Sequence, residues 1–440
     1  MNKNKTLRLA IGLSIVSLAV TGFASPSMDA AYREMFDVST RSTNAVDFPQ
    51  TIGAQGNVVS GRENFGLALN SDTIDPTFAL FTGPSQLAGN VTSNGKVCAT
   101  CHLPQFGWGL PGSNISAHFP ANDPIFDTAP ESGADPLGPI LLEQHGLIAS
   151  RFGRFNPFLS EDDPLRQVFA WRKSQHLINV ALTNGLLNDG RARNLVEQAR
   201  GAVFIHTQNA DERFDDVANA PNLSSQRLKD ISAFEETIIS PPILKALLNP
   251  NDPDYAKLIA DPFMTVPVTT PQEKRGKAVF QKYCMTCHDM PNVFSNTEHR
   301  ANPPLNTPLP FAHTMDIGVA QRNALHLEVR RWDPISQTRK TIVVPLVKID
   351  GTVVQWPVKD DIGLAASTGR YEDLYRFKVP QLRNLAQLAP YFHDNSAATL
   401  EDVVDYFDSC DYNDSADGAQ HPIHYKKGER EDLLAFLRVL

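Results

Sequence analysis

The chain has 440 residues, a length that fits two domains of roughly 100–200 residues better than one. Its 42% hydrophobic and 20% charged residues are those of an ordinary globular protein and exclude a fibrous or low-complexity chain. The formal charge is −9 without a basic stripe, which sets nucleic acid aside as a partner, while a mildly acidic surface suits a basic electron-donor protein.

At the N-terminus Lys3, Lys5 and Arg8 precede the apolar run Leu9–Phe23, with Gly22 and Ala24 placed for cleavage before Ser25. That is the order of a secretory signal peptide over residues 1–24. The alternative is a membrane anchor, but a run of ~15 residues falls short of the ~20 that a spanning helix needs. No later segment is long and apolar enough to span. The expectation is an exported, periplasmic protein with no membrane span after cleavage. Residues 26–90 are rich in Ser, Thr, Asn, Asp and Gly and read as a loop-rich lead-in.

Cys98-Ala-Thr-Cys101-His102 is followed much later by Cys284-Met-Thr-Cys287-His288. Two thiols three positions apart on a helical turn can add across both vinyl groups of one haem, and the next histidine then lies under the iron. The alternatives are a redox dithiol or a zinc site, and zinc would want a second C-x-x-C close by. Two such motifs, in a chain with one further cysteine (Cys410, to which no function is assigned), point to two covalently bound haem c groups. His102 and His288 are the proximal iron ligands in this reading.

Between the motifs, residues 103–165 carry Pro104, Pro111, Pro120, Pro124, Pro130, Pro136 and Pro139 and read as a long irregular insertion. Residues 166–240 look helical, and Pro241–Pro271 reads as a hinge. Pro271–Phe280 predicts an amphipathic helix beginning at its proline. Residues 341–357, with Thr341-Ile-Val-Val-Pro and Gly351-Thr-Val-Val-Gln-Trp356, predict a hairpin. Lys427–Leu440 predicts a closing helix with Leu433, Leu434, Phe436 and Leu437 on its apolar face. The expected fold is mainly α: two cytochrome c-type haem domains, over residues 25–245 and 246–440, with long irregular loops and a short β-hairpin. The halves are weakly alike. Arg172–Leu182 with Asn188-Asp-Gly-Arg-Ala192 matches Phe377–Ala386 with Tyr391-Phe-His-Asp394, each an Asn-x-Ala stretch, a polar turn and a Leu-led helix.

Over roughly residues 90–440 the chain resembles the di-haem bacterial cytochrome c peroxidase family, which includes the MauG-like enzymes. The likeness rests on both C-x-x-C-H motifs, on Asp189-Gly-Arg-Ala192 with Leu195-Val-Glu-Gln-Ala199, and on Phe377-Lys-Val-Pro380 through Leu400-Glu-Asp-Val-Val404. It implies a peroxide-reacting N-terminal haem, an electron-transferring C-terminal haem and a calcium ion between two domains. Relatives are often homodimers, and the resemblance carries that expectation too.

Several family positions are altered. The glutamine of the Leu-led helix is Gln198, but ten residues on, where peroxidases place a glutamate, stands Gln208, with His206 just before it. His206 could move a proton between peroxide oxygens, whereas Gln208 can only hydrogen-bond. The inter-haem tryptophan is replaced by Asn188. The calcium-binding asparagine aligns with Lys173, and the carbonyl positions of that site with Leu388 and Pro390. The family histidine is His393. Fourteen residues beyond it, in place of methionine or tyrosine, is Phe407, with Tyr406 as the alternative ligand; no methionine follows Met315. His118, sixteen residues after His102, matches a loop histidine that caps the first haem. Trp108 and Trp171 could relay electrons or receive oxidising equivalents, but read first as packing residues.

The favoured function is a di-haem oxidoreductase that reacts with hydrogen peroxide at one haem and takes electrons from a donor protein through the other. The alternatives are MauG-like oxidation of a partner protein or organic substrate, and a plain electron-transfer cytochrome.

Overall fold

The computed structural model describes residues 98–103, 106–132, 135–152, 168–183, 185–207, 231–296, 314–333 and 336–440. The segments read as a signal peptide and a lead-in lie outside these residues. The helices that frame the sites are α1 (Leu137–His145), α2 (Leu195–Thr207), α3 (Pro271–Tyr283), α4 (Leu400–Phe407) and α5 (Glu429–Leu437). Among the described residues no helix is long and apolar enough to cross a membrane.

The fold is mixed rather than mainly α. Two-stranded antiparallel sheets pair β1 (Leu147–Phe152) with β2 (Val168–Lys173), β3 (Thr314–Met315) with β8 (Phe377–Lys378), β4 (Arg331–Asp333) with β5 (Thr338–Lys340), and β6 (Val343–Val347) with β7 (Val353–Pro357). The last pair is the hairpin predicted from sequence. The first corrects two expectations. The segment expected to be irregular contains α1 and β1, and the segment expected to be helical opens with β2. Val168-Phe-Ala-Trp-Arg-Lys173 is rich in the β-branched and aromatic residues that strands favour. Its pairing with β1 buries Ala170 and Trp171 against Val344, Leu346, Val358 and Ile362, and that distant apolar surface decides the conformation.

The predicted helix α3 begins at Pro271, and Thr270 and Glu273 close a reciprocal capping box at its start. The predicted closing helix is α5, which packs on α3. Phe280 on α3 and Phe436 on α5 lie with ring centroids 5.2 Å apart, together with Phe263 and Phe294, in one apolar core. Burying each such ring contributes about 1.5–3 kcal/mol. The crossing is close because α3 carries Gly276, where a Cβ would stand 1.9 Å from the Asp432 carbonyl oxygen. Arg275 binds the Asp432 carboxylate through Nε and Nη2 at 2.7 and 2.8 Å on the outer side.

The internal likeness seen in the sequence is a repeat in the backbone, at one constant offset along the chain. Asn179 and Asn384 both take left-handed φ values, 61° and 59°, ahead of short 3-10 turns. Leu186 pairs with Ala192 as Tyr391 pairs with Ala397. Leu187 and Phe392 are both left-handed, and α2 and α4 follow at matching positions. The repeats interlock reciprocally: the Lys173 N–H donates to the His393 carbonyl at 2.8 Å, and the Lys378 N–H donates to the Asn188 carbonyl at 3.1 Å.

Candidate haem sites

The two motifs fold alike. Cys98–Cys101 is a helical turn, and the His102 N–H donates to the Cys98 carbonyl at 3.0 Å. In the second motif the His288 N–H donates to the Cys284 carbonyl at 2.9 Å. Each histidine then fixes its ring on the chain six residues ahead. Nδ1 of His102 lies 2.9 Å from the Trp108 carbonyl, and Nδ1 of His288 lies 2.7 Å from the Phe294 carbonyl. Trp108 and Phe294 are fully buried and both left-handed, with φ of 58° and 57°. That rare geometry turns each carbonyl back onto the imidazole. With Nδ1 anchored, Nε2 is the nitrogen the ring presents to a metal, the second-shell arrangement common to metal-binding histidines. Burial pushes His288 down to about 4, against the pull of the Phe294 and Pro380 carbonyls, so the ring is neutral as a ligand must be.

Burial pushes the Cys98 and Cys284 thiols up to about 12, with the Glu235 carboxylate adding to the rise at Cys98. Neither motif forms a disulfide. Among the described residues no cluster of three or more His, Cys, Asp or Glu side chains could hold a bare metal ion.

A partly open cavity of about 120 Å³ adjoins the first motif. Cys101, His102, His176, Lys378 and Gln381 line it, and Gln198 and Ala202 reach it from α2. Gln198 is buried and its Oε1 has no hydrogen-bond partner, the signature of a polar group awaiting a ligand. His176 does not have that freedom: Nδ1 lies 3.0 Å from the Phe106 carbonyl and Nε2 3.3 Å from the Leu388 carbonyl. The second motif sits against an aromatic core. Cys284 and Met285 pack there with Tyr283, Phe392 and Tyr425. Burial pushes Tyr412 up to about 12, and the Cys287 and Cys284 thiols beside it add to the rise.

The other sequence candidates are dispersed. His118 is exposed and meets the Phe106 ring edge-on at 5.0 Å. His206 lies on α2, but its side chain is outside the description, and Gln208 lies outside the described residues altogether. The Tyr406 hydroxyl donates to the Ile317 carbonyl at 2.5 Å, and its ring packs with Phe392 at 5.0 Å. Burial raises its pKa above the ordinary phenol range. Phe407 lies between Tyr406 and Tyr412 at 5.9 and 4.9 Å. Asn188 accepts from Gln175 Nε2 at 2.8 Å. Cys410 is exposed. Trp108 and Trp171 are core residues, and Trp171 Nε1 donates to the Glu328 carbonyl.

Sequence reasoning missed the buried ionic centre joining the repeats. Arg172 binds Asp361 through Nε and Nη2 at 2.6 and 2.7 Å, and Asp189 through Nη1 at 2.8 Å. Its guanidinium lies 5.2 Å from the Phe377 ring centroid, and Phe377 stacks on His393 at 3.9 Å. The Asp189-Gly-Arg signature was visible, but nothing in it names Asp361 as the third member.

The position where the resemblance implies calcium does not suit that ion. The Lys173 ammonium donates to the Pro390 carbonyl at 2.6 Å and to the Leu388 carbonyl at 3.4 Å. Calcium takes six to eight oxygen ligands, carboxylates among them; here the tethered Lys173 amine, drawn down to about 7 by burial, stands among the same carbonyls.

No family model matches the chain. Against curated proteins it is 23% identical over 365 residues to the cytochrome-c peroxidase IdrP1 of Pseudomonas sp. (strain SCT), covering 78% of this chain and 75% of that protein. It is 39% identical over 67 residues to the methylamine utilization protein MauG of Methylorubrum extorquens, covering 15% of this chain and 19% of that one. Among solved structures, a MauG-like protein associated with microbial copper homeostasis superposes with a TM-score of 0.41 at 19% identity, covering 90% of this chain and 94% of that one. The paired C-x-x-C-H loops of matching geometry accompany this likeness to the cytochrome-c peroxidases and MauG.

Proposed function

We propose that the chain is a periplasmic di-haem c-type oxidoreductase that reacts with hydrogen peroxide in the cavity beside the first motif and passes electrons through the second. Cys98 and Cys101 would hold the first haem covalently and His102 would supply a nitrogen to its iron; Cys284, Cys287 and His288 would do the same for the second. The observation that carries this reading is the cavity beside the first motif, which contains a buried, unpartnered glutamine oxygen.

Haem in the first site supplies the iron chemistry of peroxide reduction. The chain's own residues do the rest. The Trp108 carbonyl holds the His102 ring in one orientation. Gln198 hydrogen-bonds a small oxygen ligand without exchanging a proton. Proton movement falls to a group on or beyond α2, and position 206 stands one helical turn past Ala202 on that helix. The second site, packed against Tyr283, Phe392 and Tyr425, suits electron transfer to or from a partner protein. Oxidation of a partner protein or organic substrate in the MauG manner uses the same two sites with the electron flow set by a different donor.

The test is an optical and EPR titration of the purified, reoxidised protein with hydrogen peroxide. A high-spin component that peroxide consumes supports the proposal. Two low-spin haems that stay inert to peroxide, before and after partial reduction, overturn it and leave an electron carrier.

A further inference from the structure

We propose that the Lys173 ammonium is the resident cation joining the two repeats, so that the chain keeps its first haem cavity in shape without bound calcium. Lys173 ends β2, between Arg172 of the ionic centre and Ser174, whose hydroxyl lies 3.3 Å from the Cys101 carbonyl. Its backbone N–H is held by His393 and its side chain by Pro390 and Leu388, so both ends of the residue grip one segment of the second repeat. Burial draws Lys173 down to about 7, and the Asp394 carboxylate, 2% exposed, pulls it back towards the charged form. A divalent ion there would meet this ammonium at contact distance.

The grip reaches the first haem ligand through a short chain of contacts. The Leu388 carbonyl that accepts from Lys173 also lies 3.3 Å from His176 Nε2. His176 Nδ1 lies 3.0 Å from the Phe106 carbonyl. The same imidazole fills the space over Gly109, where a Cβ would stand 2.5 Å from Nδ1. Phe106–Gly109 is the turn that aims the Trp108 carbonyl at His102 Nδ1. Lys173 is thus a positioning residue: through Leu388 and His176 it sets the loop that orients the proximal histidine. A covalently tethered cation has no dissociation equilibrium, so a chelator cannot remove it. The matching lysine of the other repeat, Lys378, lines the first cavity, so the arrangement is specific to one side of the repeat.

The inference rests on the proposed reading only in that His102 holds a haem; its test does not use peroxide turnover. The haem-loaded protein is melted in excess EGTA and in millimolar calcium chloride, with optical and EPR spectra recorded in each. The expected result is one melting temperature, within about 1 °C, and one set of spectra. Lys173→Met, which keeps the length and removes the charge, is expected to lower Tm by about 3 °C or more and to alter the spectrum of the haem on His102. A wild-type protein that loses stability or changes its spectrum in EGTA and recovers with calcium overturns the proposal. So does a Lys173→Met protein with wild-type spectra. If that variant does not accumulate, the wild-type comparison decides alone.

Discussion

Removing Arg172 is the sharpest perturbation the fold offers. The guanidinium is 1% exposed and neutralises Asp189 and Asp361, which are 0% and 8% exposed at their side chains. Arg172→Met keeps much of the side-chain volume and strands both carboxylates, although Asp189 retains Arg191 at 2.8 Å. Breaking a buried ion pair from one side costs about 3–5 kcal/mol. With about 2.1 cal/mol/K of unfolding entropy per residue, that is a fall in Tm of about 3–6 °C at pH 7 for a chain this long. The pH dependence gives a second check. Burial alone would raise both carboxylates, but Arg191 and Arg172 at Asp189, and Arg172 at Asp361, hold them below the usual range. Their contribution is therefore present above the unfolded value near 4 and is lost as pH falls through and below it. In the variant the stranded Asp361 titrates above that value, and protonation relieves it. The gap between wild type and Arg172→Met must narrow as pH falls from 7 towards 4. Thermal melts followed by far-UV circular dichroism across that range measure it. A variant that melts within 1 °C of wild type at pH 7, or a gap that widens on acidification, refutes the reasoning.

Three further outcomes are expected. Tyr406→Phe loses the hydrogen bond to the Ile317 carbonyl, worth about 0.5–1.5 kcal/mol, and leaves the optical spectrum of both haems unchanged; a shifted spectrum would make Tyr406 an iron ligand instead. Gly276→Ala drives a methyl into the Asp432 carbonyl at the α3–α5 crossing, so overpacking of about 1–3 kcal/mol outweighs the better helix propensity of alanine, seen as a lower Tm and less haem-loaded protein. Cys98→Ala with Cys101→Ala removes one of two covalently held haems by pyridine haemochrome assay, and Cys284→Ala with Cys287→Ala removes the other.

Local chemistry was legible in the sequence because it needs only neighbours. The C-x-x-C-H spacing is set by one helical turn, α3 by its proline and capping residues, α5 by its apolar stripe, and the β6–β7 hairpin by its Val-rich strands. The repeat was visible for the same reason, since Asn179 and Asn384 serve the same left-handed turn. What the sequence left open depends on partners far along the chain. Val168–Lys173 passes for helix until Leu147–Phe152 pairs with it and the apolar surface around Val344 covers Trp171. Asp361 is an ordinary acid until Arg172 is folded against it. Lys173 is a departure from a family pattern until its ammonium is found between the carbonyls of Leu388 and Pro390. Hydrogen bonds and ion pairs act over about 3 Å, whatever the separation along the chain, so only the tertiary structure could decide which groups meet.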